Sequence, residues 1–217
     1  MHTPLLVSPA VRSSHGALRA TGQVIAALSL TVLAACSTPQ APATKTVYDF
    51  GLTPSVVGTP PPRATPAAAL LLADVQAPMA LNATAVQYRL SYDNDQELRP
   101  YALARWSMAP AQLVQQRLKL ALNARGPVLA EGQGSPSHSL KIELEEFVQV
   151  FEQPQSSLGR VSLRATLLNG SQLVDQIRVR STAVAPTNDA AGGVRALTQA
   201  TDAAAQQLVT WLDQQKP

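Results

Sequence analysis

From Val24 to Ala35 the chain carries no charged residue, and this run stops at Cys36, the only cysteine among 217 residues. That feature decides how much of the chain is free to build a fold. Arg12 and Arg19 precede the run with no acid among them. The stretch from Val24 to Leu33 is apolar enough to enter a bilayer as a short helix. It falls short of the roughly 20 residues that a stable span needs. A basic start, a short apolar middle and the small pair Ala34-Ala35 are the parts of a cleaved secretion signal. Residues 1–35 are therefore expected to be a leader, and the mature chain of 182 residues to begin at Cys36. With one thiol, no disulfide can form within the chain.

The tetrapeptide Leu33-Ala34-Ala35-Cys36 resembles the lipobox of bacterial lipoproteins. The resemblance implies that the Cys36 thiol receives a diacylglycerol, that cleavage occurs before it, and that the new amine gains a palmitate-type acyl chain. Each buried CH₂ contributes about 0.8 kcal/mol, and one myristoyl chain alone binds marginally, so two or three chains make a firm anchor. Position 37 is Ser rather than Asp. In lipoproteins of double-membraned bacteria Asp there marks retention at the inner membrane, so the resemblance implies the periplasmic face of the outer membrane.

The formal charge of +3 belongs to the precursor. Loss of the leader removes Arg12 and Arg19, leaving 15 basic against 14 acidic residues. No field strong enough for nucleic acid remains, and no basic run interleaves with aromatics. The mature length suits one domain with its own core. Aromatics make up only 4% of the chain, so Leu, Val and Ala must fill most of that core.

Residues 36–46 read as the lipidated Cys and a polar tether with two prolines, reaching roughly 30 Å if extended. Residues 47–217 read as a single α+β domain. Tyr48, Phe50 and Leu52 alternate with Asp49 and Gly51 as a short first strand. Residues 53–66, with five prolines, form a loop by composition. Leu70–Val75 reads as a buried strand. Val86, Tyr88, Leu90 and Tyr92 make one arm of a hairpin, Asp93-Asn94-Asp95 its turn, and Tyr101, Leu103 and Trp106 the other arm. Pro110 opens a helix with a stripe of Leu113, Val114, Leu118, Ala121 and Leu122, closed by Gly126-Pro127. After a Gly/Ser/Pro loop at 131–139, Leu140, Ile142, Leu144, Val148 and Val150 share one parity over a long strand. Glu146 breaks it, which predicts a bulge or a paired carboxylate.

Val161–Leu167 and Leu173–Val179 are the next two strands around Asn169-Gly170. A strict two-residue loop there sets Leu163 opposite Gln176 and mismatches the faces. A three-residue loop or a bulge is expected instead, setting Val161 opposite Val179 and Leu163 opposite Ile177. The last helix spans about 190–212 and shows Val194, Leu197, Ala204, Leu208, Trp211 and Leu212 on one stripe. The sum is an α+β fold, a mostly antiparallel sheet with two helices packed on one face. The other face, with Arg164, Arg178, Arg180, Glu143 and Glu145, is either a solvated face with cross-strand ion pairs or a contact for a subunit or partner.

Little in the mature chain suggests catalysis. Its one histidine, His138, lies in the Gly/Ser/Pro loop without a nucleophile elbow near it. With Cys36 acylated, the ligand set of a zinc site is lacking. Gly132-Gln133-Gly134 lacks the third glycine and the helix of a dinucleotide site. Adjacent Glu145 and Glu146 point to opposite faces of a strand and cannot act together as a glycosidase pair. Asp93 and Asp95 lack EF-hand spacing. No cofactor, metal or catalytic residue is expected.

A short Tyr48-Asp49-Phe50-Gly51 strand after a lipobox is followed by an apolar strand ending near Asp74-Val75. Gln87-Tyr88-Arg89-Leu90 then leads to Tyr101-Ala102-Leu103-Ala104-Arg105-Trp106 and a proline-started helix. This order resembles the PqiC-like auxiliary lipoproteins of ABC-type intermembrane transport systems, over roughly residues 45–213. The resemblance implies a non-catalytic outer-membrane accessory that works with an MCE-domain protein and an ABC permease and ATPase. These move phospholipids or similar amphiphiles between membranes, and homo-oligomers are implied as well. Arg105 and Trp106 are of types enriched at interface hot spots and are candidates for a partner contact, with Trp106 alternatively a packing residue. A structural or assembly lipoprotein serving another outer-membrane machine is the competing expectation.

Overall fold

The computed structural model describes residues 44–52 and 68–215. The expected leader, Cys36 and the proline-rich stretch 53–66 expected to form a loop lie outside the described residues. The elements run β1 (Thr46–Tyr48), β2 (Leu70–Leu72), a 3-10 turn (Met79–Leu81), β3 (Ala85–Leu90), β4 (Leu98–Trp106), α1 (Pro110–Asn123), β5 (Val128–Leu129), β6 (His138–Gln153), β7 (Ser156–Asn169), β8 (Gln172–Val184) and α2 (Ala190–Gln214).

The 16-residue β6 is the spine of the sheet. Along one edge it pairs antiparallel with β7, which pairs antiparallel with β8. Its other edge is shared. Its first residues pair in parallel with β2, which holds β5 outside it. Its last residues pair in parallel with β3, followed by β4 and β1. Between the two groups, Gln76 exchanges backbone bonds with β6, donating to Ile142 O at 2.9 Å and accepting from Leu144 N at 2.8 Å. The α+β class expected from the sequence holds, and the eight-stranded sheet is mixed. Its long pairings are antiparallel, and its four parallel pairings are short. The parallel pairs come from segments far apart in sequence, where periodicity carries no pairing information.

The bulge expected near Glu146 falls between Leu144 and Glu146. Its effect is larger than a local kink. Before it, Leu140, Ile142 and Leu144 face the core; after it, Phe147 joins the same core while Val148 and Val150 do not. One extra residue flips the face of everything that follows. The single parity that the sequence suggested for Leu140–Val150 is thus split at Glu145. Between β7 and β8, Gly170-Ser171 is a two-residue turn with φ +59° at Gly170, and Val174 is the extra residue of a bulge. Leu163 pairs with Val179 and Ala165 with Ile177. A bulge was expected, but the pairing sits two residues from the expected one. The turn centres one residue later, which by itself moves the pairing by two, and the bulge supplies the one extra residue that was expected.

Three further expectations change. The first strand is Thr46–Tyr48, taking Thr46 from the tether and ending before Phe50. Gly51, at φ +64°, donates its N–H to the Asp49 carboxylate at 2.7 Å, a local turn that leaves Leu52 96% exposed. On β4 the core residues are Ala104 and Trp106, and Leu103 points out, because β4 carries three residues more than β3 between their paired positions. His138 is not in a loop but opens β6, opposite Asn169 and Leu70.

The helices form where the apolar stripes place them. Pro110 opens α1 without any side-chain cap, and Leu113, Val114, Leu118 and Leu122 are buried. Asp189 caps α2, accepting from Gly192 N at 2.7 Å. Leu197, Ala200, Ala204 and Leu208 on α2 are fully buried. This helix lies very close to β7, since a Cβ added at Gly159 would come within 2.5 Å of Leu197 N. Gly159→Ala should therefore destabilise the fold by about 2 kcal/mol, since overpacking against immovable backbone has no cheap relief. The urea midpoint should fall with little change in slope.

Candidate functional site

Two regions hold the side chains that sequence reading singled out, and both lie on the β3–β4 hairpin. The first is buried. Trp106 is 1% exposed, and its ring packs edge-on against Phe50 at 5.8 Å and Phe147 at 5.5 Å between centroids. It cannot meet a partner without opening the hairpin, so the packing role applies to it. The Arg117 guanidinium lies 6.0 Å from the Phe50 ring and is ion-paired to Asp202 of α2 at 2.5 Å. A charge this deep requires a partner, and Asp202 supplies it while tying α1 to α2.

Beside this aromatic cluster runs a polar chain that the sequence reading did not assign. Tyr101 donates to Gln149 Oε1 at 2.9 Å, Gln149 Nε2 donates to Ser157 Oγ at 2.9 Å, and Ser157 donates to Asn188 at 3.1 Å. Gln149 is fully buried, and its side chain occupies the space a Cβ at Gly193 would need, 2.0 Å away. The pair Gly192-Gly193 was the available signal. Each glycine inside a helix costs roughly 1 kcal/mol against Ala, so two together imply close contact. Burial, then the neighbouring Tyr88 and Asp189, push the Tyr101 phenol well above its ordinary range, so it stays a proton donor. The chain joins hairpin, spine and the start of α2, and each of these bonds has its donor and acceptor in place.

The second region is the outer surface of β1 and β4. Arg105 is exposed, pairs with Val47 across β1 and with Ala85 across β3, and has no ion pair among the described residues. Val47 is 48% exposed and Leu103 53%.

Farther along the outer sheet face the charges are paired. Burial pushes the Glu145 carboxylate up, but Arg178 and Arg164 outweigh it and hold it below its usual value. Glu145 lies 2.5 Å from Arg164 and 2.8 Å from Arg178, and accepts from Ser162. Arg160 sits between Glu146 and Glu152. This is the cross-strand ion-pair arrangement, with Arg180 exposed beside it.

The grooves have little to enclose a ligand. One of about 820 Å³ lies along α1 and is lined by ten residues, of which Asp74, Asn82, Gln112, Gln115, Gln116 and Lys119 are polar. Gln115 closes its floor, accepting from Val75 N and donating to Asp74. A second, of about 400 Å³, lies between Val47–Leu52 and α2. The first offers no continuous apolar wall for an acyl chain; the second mixes Val47, Phe50, Leu52 and Val194 with Asp49, Arg117, Arg195 and Asp202. Among the described residues no three His, Cys, Asp or Glu side chains gather as a metal site, and no helix is long and apolar enough to cross a membrane. His138 Nδ1 lies 3.2 Å from the Ser137 hydroxyl.

A family model described as "ABC-type transport auxiliary lipoprotein component" matches residues 50–209, a span that holds the aromatic cluster and β4 and begins just after β1. The chain belongs to this family. Among solved structures, protein XCC0632 of Xanthomonas campestris, described as of family-model DUF330, is similar at TM-score 0.65 and 22% identity. The match covers 77% of this chain and 94% of that one. An uncharacterized protein is similar at TM-score 0.61 and 16% identity, covering 78% and 99%. At these identities the likeness is one of fold. Among curated proteins, none matches the chain.

Two predictions follow from the geometry. Tyr101→Phe removes the donor to a fully buried amide oxygen and should cost about 1–2 kcal/mol, read as a lower urea midpoint. Four carboxylates have depressed values: Glu97 through the Arg99 guanidinium, Glu145 through Arg178 and Arg164 against its burial, Asp175 through the Trp211 indole N–H, and Asp189 through the Gly192 N–H. A carboxylate whose pKa is lower folded than unfolded stabilises the fold above its unfolded value, about 4. That contribution is lost as pH falls through the folded value. The melting temperature should be flat near neutral pH and fall below about pH 4, less steeply in Asp189→Asn.

Proposed function

We propose that this chain is a non-catalytic outer-membrane lipoprotein, anchored through acylated Cys36 on the periplasmic side. In this reading it serves an ABC permease and ATPase together with an MCE-domain protein that moves phospholipids or similar amphiphiles between the two membranes. The observation that carries the reading is the family match across residues 50–209, placed directly behind a lipobox-like Cys36.

The physical properties of the domain agree with an accessory role. It has no nucleotide-binding sequence, so energy for transport comes from the ATPase. The larger groove among the described residues is lined mostly by polar side chains, so in this reading the lipid path belongs to the MCE-domain partner, and this domain supplies position. Anchoring by acyl chains sets the domain at a bounded height above the bilayer. Self-association into a homo-oligomer is part of the same reading, and the long free edge of β8 is compatible with it.

Affinity capture of the tagged, acylated protein from detergent-solubilised membranes should recover an MCE-domain protein together with its permease and ATPase. Deletion should sensitise cells to detergents that an intact outer membrane excludes. Recovery of a β-barrel or secretion machine in place of the MCE-domain protein would reject the transport role and favour an assembly lipoprotein. Cys36→Ala should leave the precursor uncut and absent from the outer-membrane fraction, as read by the size and sedimentation of the product.

A further inference from the structure

We propose that the outer surface of β1 and β4 is a docking face for the anionic bilayer surface, so that the domain lies in one fixed orientation on the membrane that anchors it. The proposal rests on the reading of Cys36 as the acylated anchor.

The register carries the argument. β1 and β4 are parallel, with Thr46 opposite Ala104, Val47 opposite Arg105 and Tyr48 opposite Trp106. Tyr48, Ala104 and Trp106 turn toward the core, so Val47 and Arg105 share the opposite face. One alternation earlier, Lys45 and Leu103 fall on that face as well. The result is a square of two cations and two aliphatic side chains, each cation beside an apolar neighbour. All four are exposed, and neither cation has an ion pair among the described residues. The next residue of that parity, Asp49, is exposed and accepts from Gly51 N at 2.7 Å, so one carboxylate borders the square and two cations against it leave the patch net positive. On β7 and β8, Arg160, Arg164 and Arg178 each face a glutamate within 4 Å, while Arg180 is exposed beside them. Lys45 and Arg105 thus differ from the three arginines held by glutamates on the outer face.

The occupant follows from two facts. The first is charge: a cationic patch with exposed aliphatics suits an anionic interface, where apolar burial and electrostatic attraction act together. The second is the position of the chain. Thr44, the first described residue, is eight residues after Cys36 and two before β1. Even fully extended, eight residues span at most about 29 Å. The strand that bears Lys45 and Val47 is thus the part of the fold held nearest the acylated residue along the chain, and lipid headgroups are always within its reach. The tether supplies the local concentration and the patch supplies the orientation.

The test uses the mature acylated protein reconstituted in phosphatidylethanolamine–phosphatidylglycerol vesicles. Cys36 is the only native thiol and is blocked by its lipid, so Leu103→Cys and, separately, Leu173→Cys on β8 each introduce one site for an environment-sensitive fluorophore. The fluorophore at 103 should be shielded from aqueous acrylamide and quenched by doxyl-labelled lipid, while that at 173 should behave oppositely. Each cation near an anionic surface favours binding by about fivefold, so Lys45→Gln with Arg105→Gln should lower the ratio of docked to undocked domain about thirtyfold. High salt should act in the same direction. Equal exposure of positions 103 and 173, in protein that still sediments with the vesicles, overturns the docking face and leaves the anchor standing. So does a lipid signal at 103 that the two glutamine substitutions leave unchanged, or loss of MCE-domain capture in Arg105→Glu without any change in that signal. Release of the wild-type protein from sedimented vesicles defeats the anchor reading, and the docking face with it.

Discussion

The close approach of α2 to the sheet is the contact on which the rest of the fold depends. A chain with 4% aromatics cannot fill a wide gap between helix and strands, so the gap has to be narrow. Gly159 on β7 lets the backbone at Leu197 come within what would be clash distance of any side chain. Gly193 does the same over Gln149. Buried alanines at 196, 200, 204 and 205 continue the seam along the helix. Close packing at crystal-like density is obtained here by removing side-chain bulk, with leucines filling the flanks. At its far end α2 is held by Arg125, which pairs with Asp213 and donates to Leu212 O, and by Trp211, whose indole N–H reaches Asp175 beside the β8 bulge.

With the helix so placed, the bulge at Glu145 becomes intelligible. It rotates the second half of β6 so that Phe147 and Gln149 turn under α2 and the aromatic cluster, while Glu145 itself swings to the outer face. There it collects Arg164 and Arg178 from the next two strands. One inserted residue thus serves both faces of the sheet. Exposed ion pairs of this sort contribute little singly, and their value lies in the network and in matching strand register. The polar chain from Tyr101 to Asn188 sits on the core side of the same half-strand. It is worth more per bond, because nothing else is available to those groups once water is excluded.

These constraints leave the hairpin end of the sheet as the variable surface. Its inner side is committed to the core through Trp106, Phe50 and the Arg117–Asp202 pair. Its outer side carries Lys45 and Arg105, which have no ion pair among the described residues. For a member of a transport auxiliary lipoprotein family, that asymmetry separates the residues that hold the domain together from those free to meet something else. Hot-spot residue types alone do not make that separation: Arg105 and Trp106 are neighbours in sequence and belong to opposite sides of a strand.

The sequence by itself determined the lone thiol, both helices, the hairpins and the presence of two irregularities. These are local matters: periodicities of 3.6 and 2, turn chemistry and charge-free length read directly from neighbouring residues. It also contained, unassigned, the Gly192-Gly193 pair and the single Gln149 in an apolar run, both of which marked the close contact. Only the tertiary structure decided the parallel pairings of β1, β2, β3 and β5, the register of β7 with β8, and the face taken by Val148, Val150 and Leu103. Each of these depends on where a distant strand sits or on which residue is the extra one. A period-two pattern has the same appearance before and after a slip, so the backbone pairing alone sets which side of the sheet each residue takes.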